Sequence, residues 1–332
     1  MGGAWKGWLM GRLAMLILAA SAFVGGDVRA APVVGTLDVI GSDTLAGLMM
    51  RWGEQFERRY PGVRLQLQAT GSATAPPALA QGTTRIGAMS RRMTDAERAD
   101  FIARRGYAPT ALPVALDALA VFVHRDNPLD AISLGELDAL FSDTRRCGEP
   151  RAIDRWGALG LDGPWRERPI TRHGRNSASG TYGLFKRVVL CHGDFRPDVN
   201  QYPGSAAVVA AVGESLGGIG YSGMGYLTAA VKPLALIDAD GRAVPPSLEA
   251  AREGRYPLTR PLLLYVDLDP EAPLAPLERA FLDLVLSRDG QARVVEAGFV
   301  PLPEAQRRAW RRRLGLPRER NGAWESPSEA SP

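Results

Sequence analysis

The chain has 332 residues, of which 45% are hydrophobic and 23% charged, a composition typical of a soluble globular protein and not of a disordered or fibrous one. This length accommodates two domains of ordinary size. The net charge of +4 does not indicate a nucleic-acid-binding domain, because a basic N-terminal leader and the segment 304–320 account for more than all of it.

The first thirty residues have the organisation of a secretory signal peptide. Lys6 and Arg12 precede the apolar run from Leu13 to Val24, and short residues lead to Ala30, after which cleavage is predicted. Twelve apolar residues are too few to span a bilayer, so a membrane anchor is the weaker interpretation. We therefore expect an exported protein.

Strands and helices alternate along the first half of the chain. The predicted order is a strand and turn within 33–44, an amphipathic helix over 45–60, a strand over 63–68, a turn and short helix within 70–82, a strand over 86–89, a helix capped by Thr94 with Glu97, a buried strand over 118–123 and a helix capped by Ser133 with Glu136. This alternation predicts an α/β protein with largely parallel sheets.

Two later stretches lack this pattern. Residues 142–174, rich in Arg, Gly and Trp, are predicted to form a long irregular excursion. The stretch GGIGYSGMGY (217–226) matches the dinucleotide-binding pattern G-x-G-x-x-G. However, no strand clearly precedes it and no acidic residue follows at the expected distance, which favours a glycine-rich strand.

Cys147 and Cys191 are the only cysteines. In an oxidising compartment we expect them to form a disulfide, with two unpaired buried thiols as the alternative. Together with three histidines they show no ligand spacing for zinc, so we predict neither a metal nor another cofactor.

The segment 304–320 contains seven arginines and two glutamates. A solvated helix face is the preferred interpretation, and a contact with acidic surfaces is the alternative. Residues 316–332 are predicted to form a disordered basic and polar tail.

Three turns that lead into helices share a composition: GSDT (41–44), GSAT (71–74) and SGT (179–181), the last with Arg175 in the turn upstream. Surface turns with helix caps are the simple interpretation. Hydroxyls, free N–H groups at helix starts and one guanidinium also suit a tetrahedral oxyanion. Because α/β sheets bind ligands at the carboxyl ends of their strands, we predict an anion site built from the three turns.

In the order of these turns and in the pattern R-x-x-x-S-G-T (175–181), the chain resembles the phosphate-binding proteins of ABC transporters, within the type II periplasmic binding proteins. The similarity includes ALDALAVFVHRDNPL, YPLTRPLLLYV and FLDLVLSRDGQARVVEAGFVPL and covers nearly the whole chain after the leader. It implies a two-lobed α/β fold, each lobe a mostly parallel sheet flanked by helices, with the ligand between the lobes. It also implies a periplasmic, monomeric, non-enzymatic protein that binds inorganic phosphate and a membrane permease, and no nucleic acid.

The resemblance also implies where the lobes divide. Lobe one is expected to comprise 33–117 and 262–315, and lobe two 118–261. The chain is expected to cross between them near 116–124 and 256–266.

The same resemblance implies a set of ligand contacts. The phosphate contacts carried over are the backbone of Thr44 and Leu45, together with Ser72, Arg175, Ser179, Gly180 and Thr181. Further contacts are expected from Asp43, Thr74, Ser90 and Arg91.

One position departs from the family pattern. Arg91 follows Ser90 where the best-known members have an Asp that accepts the proton of hydrogen phosphate. Asp43 and Asp117 are the alternative acceptors. A fully ionised oxyanion needs no acceptor, so a binding protein for sulfate or molybdate is an alternative function.

A secreted phosphatase-like hydrolase is the alternative from another class. The chain has no G-x-S-x-G nucleophile elbow and no clustered metal-ligand motif. His173 is the only histidine near a motif serine, and we expect it to pack or to face solvent. A metal-free phosphatase would need an activated nucleophile and a general base, and the sequence identifies neither.

Overall fold

The computed structural model describes residues 33–148 and 150–318, so the predicted signal peptide lies outside the described residues. The strands are β1 (Gly35–Gly41), β2 (Val63–Gln68), β3 (Ile86–Met89), β4 (Thr110–His124), β5 (Ala131–Ser133), β6 (Thr171–Arg175), β7 (Asn200–Tyr202), β8 (Gly218–Gly223), β9 (Val231–Pro233), β10 (Ala235–Ile237), β11 (Ala243–Val244), β12 (Thr259–Val266) and β13 (Val300–Pro301). The α-helices are α1 (Ala46–Arg59), α2 (Ala75–Ala80), α3 (Asp95–Arg105), α4 (Leu134–Phe141), α5 (Gly180–Val188), α6 (Ser205–Gly213), α7 (Leu248–Arg252), α8 (Pro276–Val285), α9 (Arg288–Glu296) and α10 (Glu304–Arg313).

Ten strands form one sheet, in the order β2-β1-β3-β12-β4-β8-β6-β7, with β13 and β9 pairing with β4 beside this path, and β11-β10-β5 form a separate three-stranded sheet. Within this path, β1 is parallel to β2 and β3, and β6 is parallel to β7 and β8. Antiparallel pairing of β12 and β4 joins the two parallel groups. The predicted α/β class is confirmed, but the main sheet is mixed, because its two parallel groups are joined by this antiparallel connection, which was not predicted.

Helix α1 confirms the helix predicted over 45–60. It forms because apolar side chains recur at helical spacing on one face. Trp52 and Phe56 are fully buried and contact the ring of Phe281 on α8 edge to face. Burying side chains of this size contributes about 1.5–3 kcal/mol each, so these contacts fix α1 and α8 against each other.

Strand β4 is 15 residues long and extends well before the strand predicted over 118–123. The added part contains Pro113 and Asp117, residue types that are depleted in strand interiors. The register with β12 shifts beside Pro113, and Asp117 is buried in an ion pair with Arg260 of β12. Tertiary contacts therefore override the local propensity.

The buried apolar side chains form two large clusters. The first draws on residues 37–115 and 262–316, and the second on residues 118–258 with Val300. Strand β4 passes from the first cluster into the second, so its central residues lie between the two cores.

Helix α10 is not the solvated face that was the preferred sequence interpretation. Arg307 and Arg311 are buried on it. The guanidinium of Arg307 donates to the Leu286 carbonyl at 2.9 Å, and that of Arg311 donates to the Asp283 carbonyl at 3.0 Å and pairs with its carboxylate. The prediction is wrong for these two side chains, because α8 supplies buried acceptors.

The first residues of the predicted tail belong to the described fold. Leu316 is buried and joins the first apolar cluster. Residues 319–332 lie outside the described residues, so disorder there stays a prediction.

The predicted disulfide is confirmed. Cys147 and Cys191 are bonded, with Cα atoms 5.5 Å apart and a sequence separation of 44. The bond connects the irregular excursion to the chain just after α5. The glycine-rich strand predicted within 217–226 is also confirmed, as β8.

Within residues 33–148 and 150–318, no helix combines the length and the apolar content that a membrane crossing requires.

Candidate functional site

The first two predicted turns follow the parallel strands β1 and β2 and lie next to each other. Gly41 and Gly71 begin them with φ angles of +145° and +127°, which other residues rarely adopt. The N–H of Gly71 donates to the Gly41 carbonyl at 2.8 Å. A side chain on Gly41 would also lie 2.0 Å from the Ala88 oxygen, so both turns depend on glycine.

The third turn joins the other two. The Ala73 N–H donates to the Ala178 carbonyl at 3.1 Å, and Thr181 Oγ1 lies 3.3 Å from Thr44 Oγ1. Ser179 caps α5, its Oγ accepting the Thr181 N–H at 3.0 Å. All three predicted turns therefore meet, although the third is more than 100 positions from the others in sequence.

A cluster of serine hydroxyls lies where these turns meet the end of β3. Ser90 Oγ accepts from Ser42 Oγ at 2.9 Å and lies 3.2 Å from Ser72 Oγ, which also accepts the Ser90 N–H at 3.0 Å. The start of α5 closes against this cluster. A Cβ on Gly180 would lie 2.5 Å from Ser90 Oγ and 2.6 Å from Ser72 Oγ, so only glycine permits this approach.

Arg175 lies at the end of β6 and not in an exposed turn, which corrects the sequence interpretation of its position. Its side chain is 1% exposed. Nη1 donates to Ser205 Oγ at 2.6 Å and lies 3.1 Å from Asp43 Oδ2, while Nη2 donates to the Pro203 carbonyl at 2.7 Å. Its Nε has no hydrogen-bond partner. Arg175 is the fifth and last residue of β6, which begins at Thr171.

The electrostatics around Arg175 follow from burial. Burial lowers the pKa of this guanidinium; the neighbouring Asp43 carboxylate counteracts the shift and the nearby Arg260 reinforces it. Asp43 is 20% exposed, so water also reaches its carboxylate. The site thus holds a buried guanidinium whose neighbouring carboxylate is partly exposed, and a guanidinium suits an anionic ligand.

A second buried guanidinium, Arg260 on β12, reaches the same turns. Its Nη2 donates to Thr181 Oγ1 at 2.8 Å, to Thr44 Oγ1 at 3.3 Å and to Asp117 Oδ2 at 2.7 Å. Burial raises the pKa of Asp117, an effect that Arg260 opposes. Sequence analysis did not predict this cation in the site.

The sequence from residue 28 to residue 289 matches the family model of the PBP superfamily domain. This chain belongs to the PBP superfamily. The family resemblance seen in the sequence is thereby confirmed, and so is the α/β fold class with two lobes that it implied.

Within the superfamily, this PBP chain is 52% identical over 289 residues to the phosphate-binding protein PstS of Pseudomonas aeruginosa, covering 87% of the chain and 90% of that protein. It is 28% identical over 295 residues to the protein SphX of Synechococcus elongatus, covering 88% and 84%. A solved phosphate ABC transporter substrate-binding protein from Clostridium perfringens, with bound phosphate, superposes with a TM-score of 0.69 at 22% identity, covering 81% of this chain and 100% of that one. A phosphate transport receptor from Vibrio cholerae gives a TM-score of 0.62 at 20% identity, covering 80% and 100%. The two solved structures support the fold.

Not every predicted contact residue of this PBP chain directs its polar groups to the meeting point of the turns. Leu45 is part of the apolar core, and its N–H donates to the Ser42 carbonyl at 3.2 Å. Thr74 Oγ1 donates to the Gly71 carbonyl within its own turn at 2.8 Å. Arg91 forms two hydrogen bonds with the Glu97 carboxylate, at 2.6 and 2.7 Å, so its guanidinium is held by α3.

Several residues at the PBP site were missed by sequence reasoning. Ser42 lies inside the predicted GSDT turn, whose hydroxyls were the signal, but it was not named as a contact residue. Ser205 and Tyr226 hold Arg175 and the first turn, the latter by donating from its hydroxyl to the Asp43 carbonyl at 2.7 Å. Only the fold brings them near, because they come from α6 and from the loop after β8.

His173 is not placed for acid–base chemistry with a motif serine. It is buried, its Nδ1 lies 3.1 Å from the Tyr202 hydroxyl, and burial lowers its pKa. In the described part of the chain, no three His, Cys, Asp or Glu side chains are grouped as metal ligands. The donors that do converge are hydroxyls, backbone N–H groups and guanidinium groups, a set that suits a small oxyanion.

A separate basic cavity of about 310 Å³ lies beside α10. Its lining residues include Arg288, Arg308, Arg312 and Arg318, and it shares none with the three turns. The molecule therefore offers anions a second positively charged surface, against which binding at the turns has to be tested.

Proposed function

We propose that this protein is an extracytoplasmic solute-binding protein that captures inorganic phosphate and delivers it to the permease of an ABC transporter. One observation carries the proposal. Turns from β1, β2 and β6 bring their hydroxyls and helix N-termini together beside the buried Arg175, in a chain that is 52% identical to a phosphate-binding protein. Such an arrangement binds a tetrahedral oxyanion through charge-assisted hydrogen bonds.

The proposal assigns a set of ligand contacts, which the geometry supports. In this proposal Arg175 forms the charged contact. Hydroxyl and backbone donors come from the three turns: Thr44, Ser72, Ser179, Gly180 and Thr181. Leu45 is not included among these donors, because its N–H already donates to the Ser42 carbonyl. Ser90 supports them through its bond with Ser72, at 3.2 Å, whereas Thr74 and Arg91 play no direct part.

The proposal includes a lobe division and a location. Residues 33–117 with 262–315 form lobe one and 118–261 form lobe two, in line with the two apolar clusters. Residues 1–30 act as a cleaved signal peptide that directs the protein to the periplasm. A structural relative that binds phosphate is likewise described as periplasmic. The protein acts without catalysis.

Calorimetric titration of refolded, ligand-free protein with phosphate and then with sulfate tests this function. We expect one phosphate to bind per chain and sulfate to compete weakly. Tighter binding of sulfate would favour the alternative of another oxyanion, for which Arg91 at the family's Asp position is the specific observation. Release of phosphate from a phosphomonoester would instead support the hydrolase alternative.

Replacing Gly180 with alanine is expected to weaken phosphate binding by about 10- to 100-fold, corresponding to about 1.4–2.8 kcal/mol. The new Cβ would lie within 2.6 Å of two serine oxygens, so the third turn is pushed away from the second. Calorimetric titration measures the affinity. The matched control is Gly47→Ala on α1, where a Cβ meets nothing within 4 Å and the affinity should not change. Equal affinities in Gly180→Ala and wild type would contradict the assigned contact at α5.

A further inference from the structure

Arg260 is the one charged residue of β12. It is 3% exposed, and its immediate carboxylate partner Asp117 is fully buried. Nε and Nη2 of Arg260 both donate to Asp117 Oδ2, at 3.0 and 2.7 Å. Asp117 therefore fixes the direction of the guanidinium group. If the pair served only to hold the two strands together, it would cost folding free energy, because both groups lose their hydration in the protein interior.

The pair is not saturated with hydrogen bonds. Nη1 of Arg260 and Oδ1 of Asp117 are buried without partners, and so is Nε of Arg175. Buried polar groups are nearly always paired in folded proteins, and groups that are not often have a functional role. Unpaired guanidinium donors therefore belong to both cations that contact the three turns.

The position of Arg260 also affects the threonine hydroxyls. Its Nη2 donates to Thr44 Oγ1 and Thr181 Oγ1, at 3.3 and 2.8 Å. Since these oxygens accept from Arg260 and lie 3.3 Å from each other, at most one of the two hydroxyl protons is used between them. At least one proton remains to be donated to a ligand.

We propose that Arg260, a charged neighbour of Arg175, is a second guanidinium ligand of the oxyanion and is held in position by Asp117. The inference rests on the proposed function and deepens it by naming a binding residue outside the three turns. Nη1 of Arg260 donates to the phosphate oxygens, and Nη2 orients the hydroxyls of Thr44 and Thr181 toward them. Two guanidinium groups then share the charge of a dianion.

The test compares Arg260→Gln with Arg105→Gln by calorimetric titration with inorganic phosphate. Arg105 is a matched control, because it pairs at 2.6 Å with Asp267, a buried carboxylate just beyond the other end of β12. We expect Arg260→Gln to lower the affinity at least about 30-fold, and Arg105→Gln to leave it unchanged. The shift in melting temperature that phosphate produces should likewise be nearly lost only in Arg260→Gln.

Arg260→Lys provides a second variant if Arg260→Gln does not fold. It keeps the charge but loses the planar fork, so we expect at least about a tenfold loss of affinity. Wild-type affinity in either folded Arg260 variant overturns the inference while the proposed function stands. Absence of phosphate binding in the wild-type protein itself overturns the proposed function and this inference with it.

Discussion

Replacing Arg175 with alanine is expected to lower the affinity for phosphate by about 30-fold to several-thousand-fold, the effect of losing about 2–5 kcal/mol when one partner of a desolvated charged pair is truncated. The guanidinium is 1% exposed and is held by Ser205, Pro203 and Asp43. These contacts order the guanidinium before the ligand binds, and its unpaired Nε is a further donor for phosphate. Arg175→Lys should recover only part of the affinity, because an ammonium group lacks the planar fork.

A control is needed because Arg175 is buried and its loss also affects stability. Arg172 on the same strand is buried as well, but it pairs with Asp154 and Asp198, at 2.8 and 3.1 Å. We expect Arg172→Ala to lower the free energy of unfolding without changing phosphate affinity. Isothermal titration of the three proteins, with denaturation curves, separates the two effects. Equal affinity in wild type and Arg175→Ala would refute the assigned role.

Removing the disulfide through Cys147→Ser with Cys191→Ser is expected to lower the free energy of unfolding by up to about 4 kcal/mol, the chain-entropy value for a loop of this size. The bond closes 44 positions of sequence, including the irregular excursion and α5. It follows the C-terminal end of α5, whereas the proposed ligand contacts lie at the N-terminal end. Phosphate affinity of the folded variant should therefore remain within about threefold of wild type, under about 0.7 kcal/mol.

Urea denaturation of the double variant and of the wild type, each with and without reductant, measures this contribution. Reductant should destabilise the wild type and leave the double variant unchanged. A wild-type protein whose unfolding midpoint is insensitive to reductant, and equal to that of the variant, would mean that the bond does not stabilise the fold.

The three turns could be predicted because their signals are local. Glycines that need positive φ, hydroxyls at helix starts and the hydrophobic periods on either side all lie within a few residues of one another. The order of these signals along the chain was enough to identify the family. The stripe on α1 follows from the same local rules, and the structure confirms it. Ser179, in the third predicted turn, caps α5.

Arg260 could not be predicted from local signals. Its neighbours predict a buried strand, and a lone arginine there has no meaning until β4 is known to place Asp117 beside it. The same limit explains Arg307 and Arg311, whose burial depends on acceptors supplied by α8. Pairings across such sequence distances are set by the topology of the sheet and the packing of helices on it.

A crystal structure of the protein grown with arsenate, whose anomalous signal marks the ion, tests the central claim most directly. A single strong peak, at the arsenic atom, is predicted between the three turns, with arsenate oxygens about 3 Å from donors of Arg175, Ser72 and Thr181, the usual hydrogen-bond distance. A peak only in the basic cavity beside Arg308 and Arg312, with none between the three turns, would contradict the proposed phosphate site.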